Sequence, residues 1–520
     1  MIMKVNCKSE GKVLSHTWSK CVGAGRACEG LRKEWQRQLQ ETVKQCGFSY
    51  IRFHGLLAED MFPVMKGTDG LRYNWYYIDQ LYDDLLEIGI RPIVETGFMP
   101  PALASGEATQ FWWRGNITPP NDYEEWGKLI GALVNHFTER YGREEVRKWY
   151  FEVWNEPNLN AFWSGTRSQY LELYKVTAEA VKAVDSAYRV GGPATSNFVP
   201  DDRFAGEIED STKQMTHLVE NLNTLEWHGV WIEEFLQYCQ REKLPVDFIS
   251  AHPYPTDFAL DGQQEMKGRT RCVDSLQKDI TWLLNARSGS AYPNAEILLT
   301  EWSSSPTSRD CSHDFLPVAD YIVKCNLDNA GRVDALSYWA FTDIFEEVGG
   351  GPEAFHGGFG LLNEHGIKKP AFWAYTFLHR LGTMELARDT EGIVTKTDDG
   401  KVQALFYNYA KELPDTVPIA EYPEAESAVQ IQKMGQERTQ ELLLSGLDAN
   451  AVIRVEVLDV AHTAAELWRN MGCPKNLTIP QEKALKAVRP YSYTVNADQN
   501  GDISLKLRLA PWSLVFLESI

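Results

Sequence analysis

The segment Trp149–Pro157, which reads WYFEVWNEP, decides the fold of this 520-residue chain. It begins as a short apolar strand and stops at Asn155-Glu156-Pro157. A charged carboxylate at the tip of a buried strand is costly, and proline cannot donate to a further strand ladder. We therefore expect Glu156 to be held at a strand end for chemistry.

A second strand ends in the same way. The segment Glu296–Trp302 reads EILLTEW and carries Glu301 next to its last residue. Two carboxylates at two strand ends are typical of the acid/base and nucleophile of a retaining glycosidase. On this hypothesis one carboxyl group protonates the leaving oxygen, while the other is ionised and attacks the anomeric carbon.

Short apolar strands alternate with amphipathic helices from about residue 17 to residue 381. The strands are predicted at 19–23, 50–54, 91–97, 149–156, 189–194, 247–254, 296–302 and 335–341. Eight such units predict an α/β fold, a (β/α)8 TIM barrel, over residues 14–385. The competing doubly wound open sheet is disfavoured because Gly23-Ala24-Gly25-Arg26 lacks the third glycine and the spacing of a phosphate loop.

The rest of the chain has a different pattern. Residues 386–520 are rich in alternating segments such as ISLKL at 503–507, and DQNGD at 498–502 is a good turn. We predict a β-sandwich accessory domain made of residues 1–13 and 386–520, with a helical insertion at 424–444. The segments around Val5 and Val13 are expected to add a strand to it.

The C-terminal ends of barrel strands line the active site, so those ends name candidate site residues. Besides the two glutamates they are Arg52, His54, Asn155, His252, Tyr254, Trp339, Glu346 and Glu347. Arg52 would keep Glu301 ionised. Structural roles are the alternatives for these residues. Either histidine, Tyr254 or Trp339 could be a core residue, and Arg52 could belong to a structural ion pair. One of the adjacent Glu346 and Glu347 could face solvent. Glu95 and Asp343 are expected to be structural, and Trp112 and Trp113 either form a sugar subsite or pack a loop.

The bulk composition narrows the partners. The chain has 43% hydrophobic and 24% charged residues and a net charge of −20, which argues against nucleic acid and anionic membrane surfaces. No apolar leader segment follows Met1, and no run has the length of a membrane helix. Nine scattered cysteines without zinc spacing predict free thiols and a cytoplasmic location. No metal or other cofactor is implied, and an acidic surface rich in tryptophan predicts a homo-oligomer.

Several motifs resemble known enzymes. WNEP closing the fourth strand and TEW closing the seventh resemble clan A glycoside hydrolases. FWWRGNITPP at 111–120, SAHPY at 250–254, YWAFTDIFEE at 338–347 and GGFGLLN at 357–363 look like glycoside hydrolase family 39, in particular its β-xylosidases. The resemblance continues to WRNMGCP at 468–474. One departure is Ala340, where the pattern carries a hydroxyl residue.

The resemblance implies a role for each candidate. Glu156 is the acid/base, Glu301 the nucleophile, and Asn155 binds the 2-hydroxyl of the sugar. Trp339 is an apolar floor, and Asn116 joins the other candidates in binding substrate. The implied function is that of a retaining exo-β-1,4-xylosidase acting on short xylo-oligosaccharides through a covalent glycosyl-enzyme intermediate. The alternatives are a family 39 enzyme of other specificity, such as an α-L-iduronidase or another pentosidase or hexosidase, and a sugar-binding barrel without turnover.

Overall fold

A closed barrel of eight parallel strands forms the larger part of the protein. The computed structural model describes residues 2–68, 70–260, 266–410 and 425–520. The barrel strands, numbered in chain order, are β1 Cys21–Arg26, β2 Tyr50–His54, β3 Arg91–Glu95, β4 Tyr150–Glu152, β5 Arg189–Ser196, β6 Phe248–His252, β7 Glu296–Trp302 and β8 Ala335–Tyr338. Each pairs in parallel with its neighbours, and β8 closes on β1 through Tyr338 and Val22. The predicted TIM barrel is confirmed.

A helix follows every barrel strand. The helices are Lys33–Cys46, Tyr76–Ile88, Tyr123–Tyr141 with the short Arg143–Val146, Arg167–Val184, Ile232–Glu242, Ser275–Ser288, Leu316–Asp328 and Pro370–Arg380. Their ends carry the expected signals. Asp122 caps the third helix by accepting from two backbone N–H groups, and Gly89, at φ 94°, ends the second in the left-handed region.

The inside of the barrel is filled by side chains from its strands. Seven of the eight strands each contribute one buried residue to a single cluster, consisting of Cys21, Tyr50, Ile93, Tyr150, Phe248, Leu298 and Ala335. This is the layered packing of a TIM barrel, which leaves no open pore. Polar side chains are therefore accommodated at the C-terminal rim, where four pairs of antiparallel strands extend the loops: Val64–Gly67 with Gly70–Tyr73, Thr109–Gln110 with Gly115–Asn116, Phe198–Val199 with His228–Gly229, and Thr256–Leu260 with Met266–Thr270.

Two further sheets pack on each other beside the barrel. The smaller contains Ile2–Asn6, Arg438–Ser445 and Ile503–Leu509. The larger has the order Lys12–Val13, Met384–Asp389, Gly392–Lys396, Val402–Tyr407, Leu514–Ser519, Val452–Leu458 and Tyr491–Asn496. Buried residues of both sheets, among them Val5, Leu442 and Phe406, share one apolar cluster. This arrangement is the predicted β-sandwich, and both N-terminal segments contribute a strand to it. The division of the chain at residue 385 stays a prediction; that position lies inside the strand Met384–Asp389.

The structure differs from the predicted elements in several places, including the strands predicted to end at residues 97 and 341, which end at Glu95 and Tyr338. The helix predicted at 424–444 is a helix only at Ala425–Gln432, followed by the strand Arg438–Ser445; residue 424 lies outside the described residues. Burial alternates there at Gln440, Leu442 and Leu444, and so short an apolar run is ambiguous in sequence. The strand predicted at 149–156 ends at Glu152. Two further helices in the described part of the chain, Ala464–Asn470 and Ile479–Lys486, also lie between sandwich strands.

Surface properties bear on two further expectations. All nine cysteines are free, as predicted. All 17 tryptophans lie in the described part of the chain, and a single one of them, Trp112, is exposed. The expected tryptophan-rich surface is therefore wrong, because the indole rings pack in the interior. Among the described residues, no helix combines the length and the apolar character needed to cross a bilayer.

Candidate active site

A cavity of about 280 Å³ opens at the C-terminal rim of the barrel. It collects side chains at or after the ends of six barrel strands, β2 and β4 to β8. Those predicted from the sequence are His54, Asn155, Glu156, Tyr254, Glu301, Trp339 and Glu347. Others that line it are Leu159, Phe162, Asn197, Arg203, Phe204, Glu209 and Phe359, all of which come from loops.

The turn after β4 aims Asn155 and Glu156 into this cavity. Trp154 and Glu156 have φ angles of 72° and 45°, a left-handed conformation that is unfavourable for residues other than glycine. Two hydrogen bonds hold the turn. The indole N–H of Trp154 donates to the carbonyl of Phe162 at 2.9 Å. The backbone N–H of Glu156 donates to the carbonyl of Ala194 at 2.9 Å. Strain of this kind is concentrated at functional sites.

Glu156 sits in an environment that favours its protonated form. Its carboxyl group is 6% exposed, and Oε1 lies 2.9 Å from Nδ1 of His252. Burial raises the pKa of Glu156 to about 7. Burial also lowers the pKa of His252 to about 4, so this imidazole is neutral near pH 7 and supplies no positive charge. Glu156 can therefore carry a proton at neutral pH, as a general acid must.

Glu301 sits in the opposite environment. The guanidinium group of Arg52 donates to its Oε1, and the hydroxyl of Tyr254 donates to its Oε2 at 2.8 Å. Both donors stabilise a carboxylate. The two glutamates also lie close together. A carboxylate oxygen of Glu156, a carboxylate oxygen of Glu301 and a ring nitrogen of His252 all lie within 4.8 Å of one another. Retaining glycosidases separate their carboxyl groups by about 5–5.5 Å and inverting ones by about 6.5–9.5 Å.

Arg52 is the electrostatic centre of the site although it does not line the cavity. It is completely buried, and its Nε donates to Oε2 of Glu152 at 2.7 Å, while Nη2 donates to Oδ1 of Asn155 at 2.8 Å. Nη2 is also 3.3 Å from Oε2 of Glu95. One arginine thus faces three buried carboxylates, which hold its own pKa above the usual range despite burial. Glu95, expected to be structural, supports the site from below.

His54, Trp339 and Glu347 form one wall of the cavity. His54 shares a hydrogen bond with Glu95, and its Nε2 lies 3.7 Å from Oε1 of Glu301 and 3.8 Å from Oε1 of Glu347. The Trp339 ring centroid is 4.9 Å from that of His54. Burial raises the pKa of Glu347 to about 8. Glu347 is therefore protonated near neutral pH and can donate as well as accept a hydrogen bond.

Besides the fully buried Arg52 and His252, two more of the sequence candidates, Asn116 and Glu346, do not line the cavity. Asn116 closes a local turn, in which its Oδ1 accepts from the N–H of Thr118 at 2.9 Å and its Nδ2 donates to Gly106 at 2.9 Å. Glu346 turns outward to ion pairs with Arg26 and Arg32. Strand-end reasoning could not foresee the direction of Glu346, because Arg26 and Arg32 lie more than 300 residues away in the sequence.

Trp112 and Trp113, for which a subsite was one reading, also lie away from the cavity lining. Trp113 stacks on Phe111 with centroids 5.4 Å apart and meets the edge of Phe98 at 5.2 Å. Trp112 is 58% exposed. Trp113 therefore packs a loop, which was the alternative to a sugar subsite.

The barrel and its paired carboxyl groups define a glycoside hydrolase. Residues 1–217 and 226–503 match the model of the glycosyl hydrolases family 39. The chain belongs to this family.

Relatives described as β-xylosidases match most or nearly all of the chain. The β-xylosidase of Caldicellulosiruptor saccharolyticus is 36% identical over 524 residues, which cover 99% of this chain and 98% of that protein. The β-xylosidase of Geobacillus stearothermophilus is 39% identical, covering 78% of this chain and 77% of the relative. A crystal structure described as a monomeric β-xylosidase from Caulobacter crescentus CB15 superposes with a TM-score of 0.84 at 32% identity, covering 99% of both chains.

Proposed function

We propose that the protein is a retaining exo-β-1,4-xylosidase that releases xylose from short xylo-oligosaccharides through a covalent glycosyl-enzyme intermediate. The observation that carries the proposal is the short distance between Glu156 and Glu301. A carboxylate oxygen of one lies within 4.8 Å of a carboxylate oxygen of the other, and the surroundings of the two groups differ. Burial raises the pKa of the Glu156 carboxyl group to about 7, and the Glu301 carboxylate pairs with the guanidinium of Arg52. The β-xylosidases among its relatives support the choice of sugar.

The reaction would run in two steps. Glu301 attacks the anomeric carbon while Glu156 gives its proton to the glycosidic oxygen, so the carbon–oxygen bond to the leaving sugar breaks as the bond to Glu301 forms. Glu156, now ionised, then takes a proton from water, and the resulting hydroxide displaces Glu301. Two inversions return the sugar with its original anomeric configuration.

Asn155 is well placed to bind the 2-hydroxyl. Its Oδ1 is occupied by Arg52, which fixes the orientation of the amide. Its Nδ2 is buried and has no hydrogen-bond partner among the described residues. A buried donor without a partner is costly, so a substrate hydroxyl that accepts from it is favoured. His54, His252, Tyr254 and Glu347 would hold the remaining hydroxyls and the nucleophile, and Trp339 would pack against the sugar ring.

The size of the cavity supports short substrates. About 280 Å³ is at the low end for small-molecule pockets, which favours one or two sugar rings over a long polymer chain. Part of the lining is apolar, namely Leu159, Phe162 and Phe204, and the leaving sugar would rest against it.

The charges of the lining argue against an iduronidase. Arg203 is the one arginine or lysine among the described residues that line the cavity. Its guanidinium is fully engaged by Asp201 and Asp257, at distances of 2.6–3.0 Å. Glu209 and Glu301 also line the cavity and add acidic groups. A uronate would therefore meet carboxyl groups without a free cation, whereas a neutral pentose meets no such penalty.

Proton NMR of 4-nitrophenyl β-D-xyloside tests this function. We expect β-xylose to appear first and to mutarotate only later, and Glu301→Ala to abolish release. Early α-xylose would contradict the retaining mechanism. Sugar binding in a calorimeter without hydrolysis would favour the non-catalytic barrel, and release of another sugar from a glycoside panel would change the specificity alone.

A homo-oligomer and a cytoplasmic location remain predictions. Light scattering measures the first directly, since a single chain has a mass of 59.1 kDa. A mass at that value would reject the oligomer.

A further inference from the structure

Glu346 and Glu347 are adjacent in sequence but point in opposite directions. Glu347 lines the cavity, 3.8 Å from His54. The Oε2 of Glu346 instead accepts from Arg32 at 2.9 Å and from Arg26 at 3.2 Å, outside the cavity. Ion pairs between Glu346 and two arginines therefore hold the loop after β8 from outside the cavity, while Glu347 lines the cavity.

Glu29 holds the same loop through its backbone. This residue is 1% exposed, and its Oε1 accepts from the N–H of Glu346 at 2.9 Å. Its Oε2 accepts from the N–H of Arg26 at 3.2 Å. A single buried carboxyl group thus joins the end of β1 to the loop after β8. Gly25 makes room for it, because a Cβ there would collide with Oε2 of Glu29.

Arg26 connects this pair to two more loops. The residue is 5% exposed, and its guanidinium also pairs with Asp60 in the loop after β2. It lies 5.2 Å from the centroid of Trp113 in the loop after β3. Loops following four strands therefore meet at one arginine, and a shift there would displace the loop that carries Glu347.

We propose that Arg26, Glu29 and Glu346 are positioning residues that fix Glu347 inside the cavity. None of the three lines the cavity, so their effect on substrate passes through the orientation of Glu347. The inference rests on the proposed function in one respect, namely that Glu347 binds a sugar hydroxyl.

Glu29→Gln is the sharpest perturbation. The glutamine amide has one acceptor oxygen, and its NH₂ group opposes the second backbone N–H. One of the two backbone bonds is lost, and we expect KM for the aryl xyloside to rise about tenfold, the upper range for the loss of one buried hydrogen bond. We expect kcat to fall less than threefold, as a rough bound for a change that acts on binding.

A double-mutant cycle separates positioning from a general loss of structure. In a Glu347→Ala background, Glu29→Gln is expected to have no further effect on KM, because its target is gone. Effects that add across the cycle would overturn the proposal, as would a folded Glu29→Gln variant with the KM of the unmodified protein. If Glu29→Gln fails to fold, Glu346→Gln replaces it in the cycle. That variant weakens the ion pairs to Arg26 and Arg32 but keeps the hydrogen bond from the backbone N–H of residue 346 to Glu29.

The matched control is Glu385→Gln on the sandwich. This carboxylate pairs with Arg388 at 2.7 Å and is about as exposed as Glu346, at 22% against 19%. We expect its KM to be unchanged. Should the unmodified protein hydrolyse a different glycoside, the cycle is run with that substrate; if it only binds sugar, the dissociation constant replaces KM. The proposed specificity for xylose can then be wrong, and the cycle still tests whether Glu29 acts through Glu347.

Discussion

Replacing Arg52 by methionine would remove the cation shared by the carboxylates under the active site. Arg52 is completely buried and bonds to Glu152, Glu301 and Asn155, with Glu95 3.3 Å away. Methionine has a similar length but no charge and no donor. Three carboxyl groups would then remain buried without their guanidinium partner.

The cost follows from the burial. Breaking one buried ion pair by removing a single partner costs about 3–5 kcal/mol, and we expect the free energy of unfolding to fall by about that amount at pH 7. We also expect kcat/KM to fall by at least about 100-fold, because losing one preorganised electrostatic group at a reacting centre costs about 10²–10³ in rate. Glu301 would lose the guanidinium group that donates to its Oε1.

A urea titration followed by fluorescence would give the stability, and initial rates with the aryl xyloside would give the activity. Arg271→Met is the matched control, since Arg271 is equally buried and binds both oxygens of Asp279 at 2.8 Å but does not line the cavity. It is expected to lose stability and keep kcat/KM within about twofold per folded molecule, as expected for a site outside the reacting centre. Equal losses of kcat/KM in both variants would refute the electrostatic role of Arg52.

Three other predictions can be checked in the same way. Because burial raises the pKa of Glu156 to about 7, the rate is expected to fall as pH rises above that value and the acid loses its proton. Glu156→Gln should lower kcat about 10²–10⁴-fold and remove this limb of the pH profile. Tyr254→Phe, which removes the 2.8 Å bond to Glu301, should lower kcat/KM about tenfold or more without changing the circular dichroism spectrum. Burial raises the pKa of Asp320 well above its usual range, so the folded state keeps its proton while the unfolded state releases it above about pH 4. Stability should thus decline from about pH 4 to pH 7, and Asp320→Asn should remove that part of the decline in urea titrations.

Much of the site could be read from strand ends. Side chains alternate along a strand, so Arg52 and His54 had to share one side of β2, and both reach the same carboxylates. The two catalytic candidates were visible because a carboxylate that ends an apolar strand is unusual. Those features are local, and the barrel topology brings them together.

The remainder depends on contacts between distant segments. Nothing in the order Glu346-Glu347 says which side chain faces the cavity; Arg26 and Arg32, more than 300 residues away, decide it. Arg203 and Glu209 line the cavity from a long loop after β5, where no periodic pattern marks an inward direction. The strand Arg438–Ser445 needed the pairing with Ile2–Asn6 to be told from a helix.

Mass spectrometry of a trapped intermediate tests the central claim most directly. A xyloside with fluorine at carbon 2 and an activated leaving group slows the second step, so the glycosyl-enzyme should accumulate. The account predicts one fluoroxylosyl group per active site, attached to the peptide that contains Glu301. A label on any other residue, or turnover that inverts the anomeric centre without any label, would contradict it.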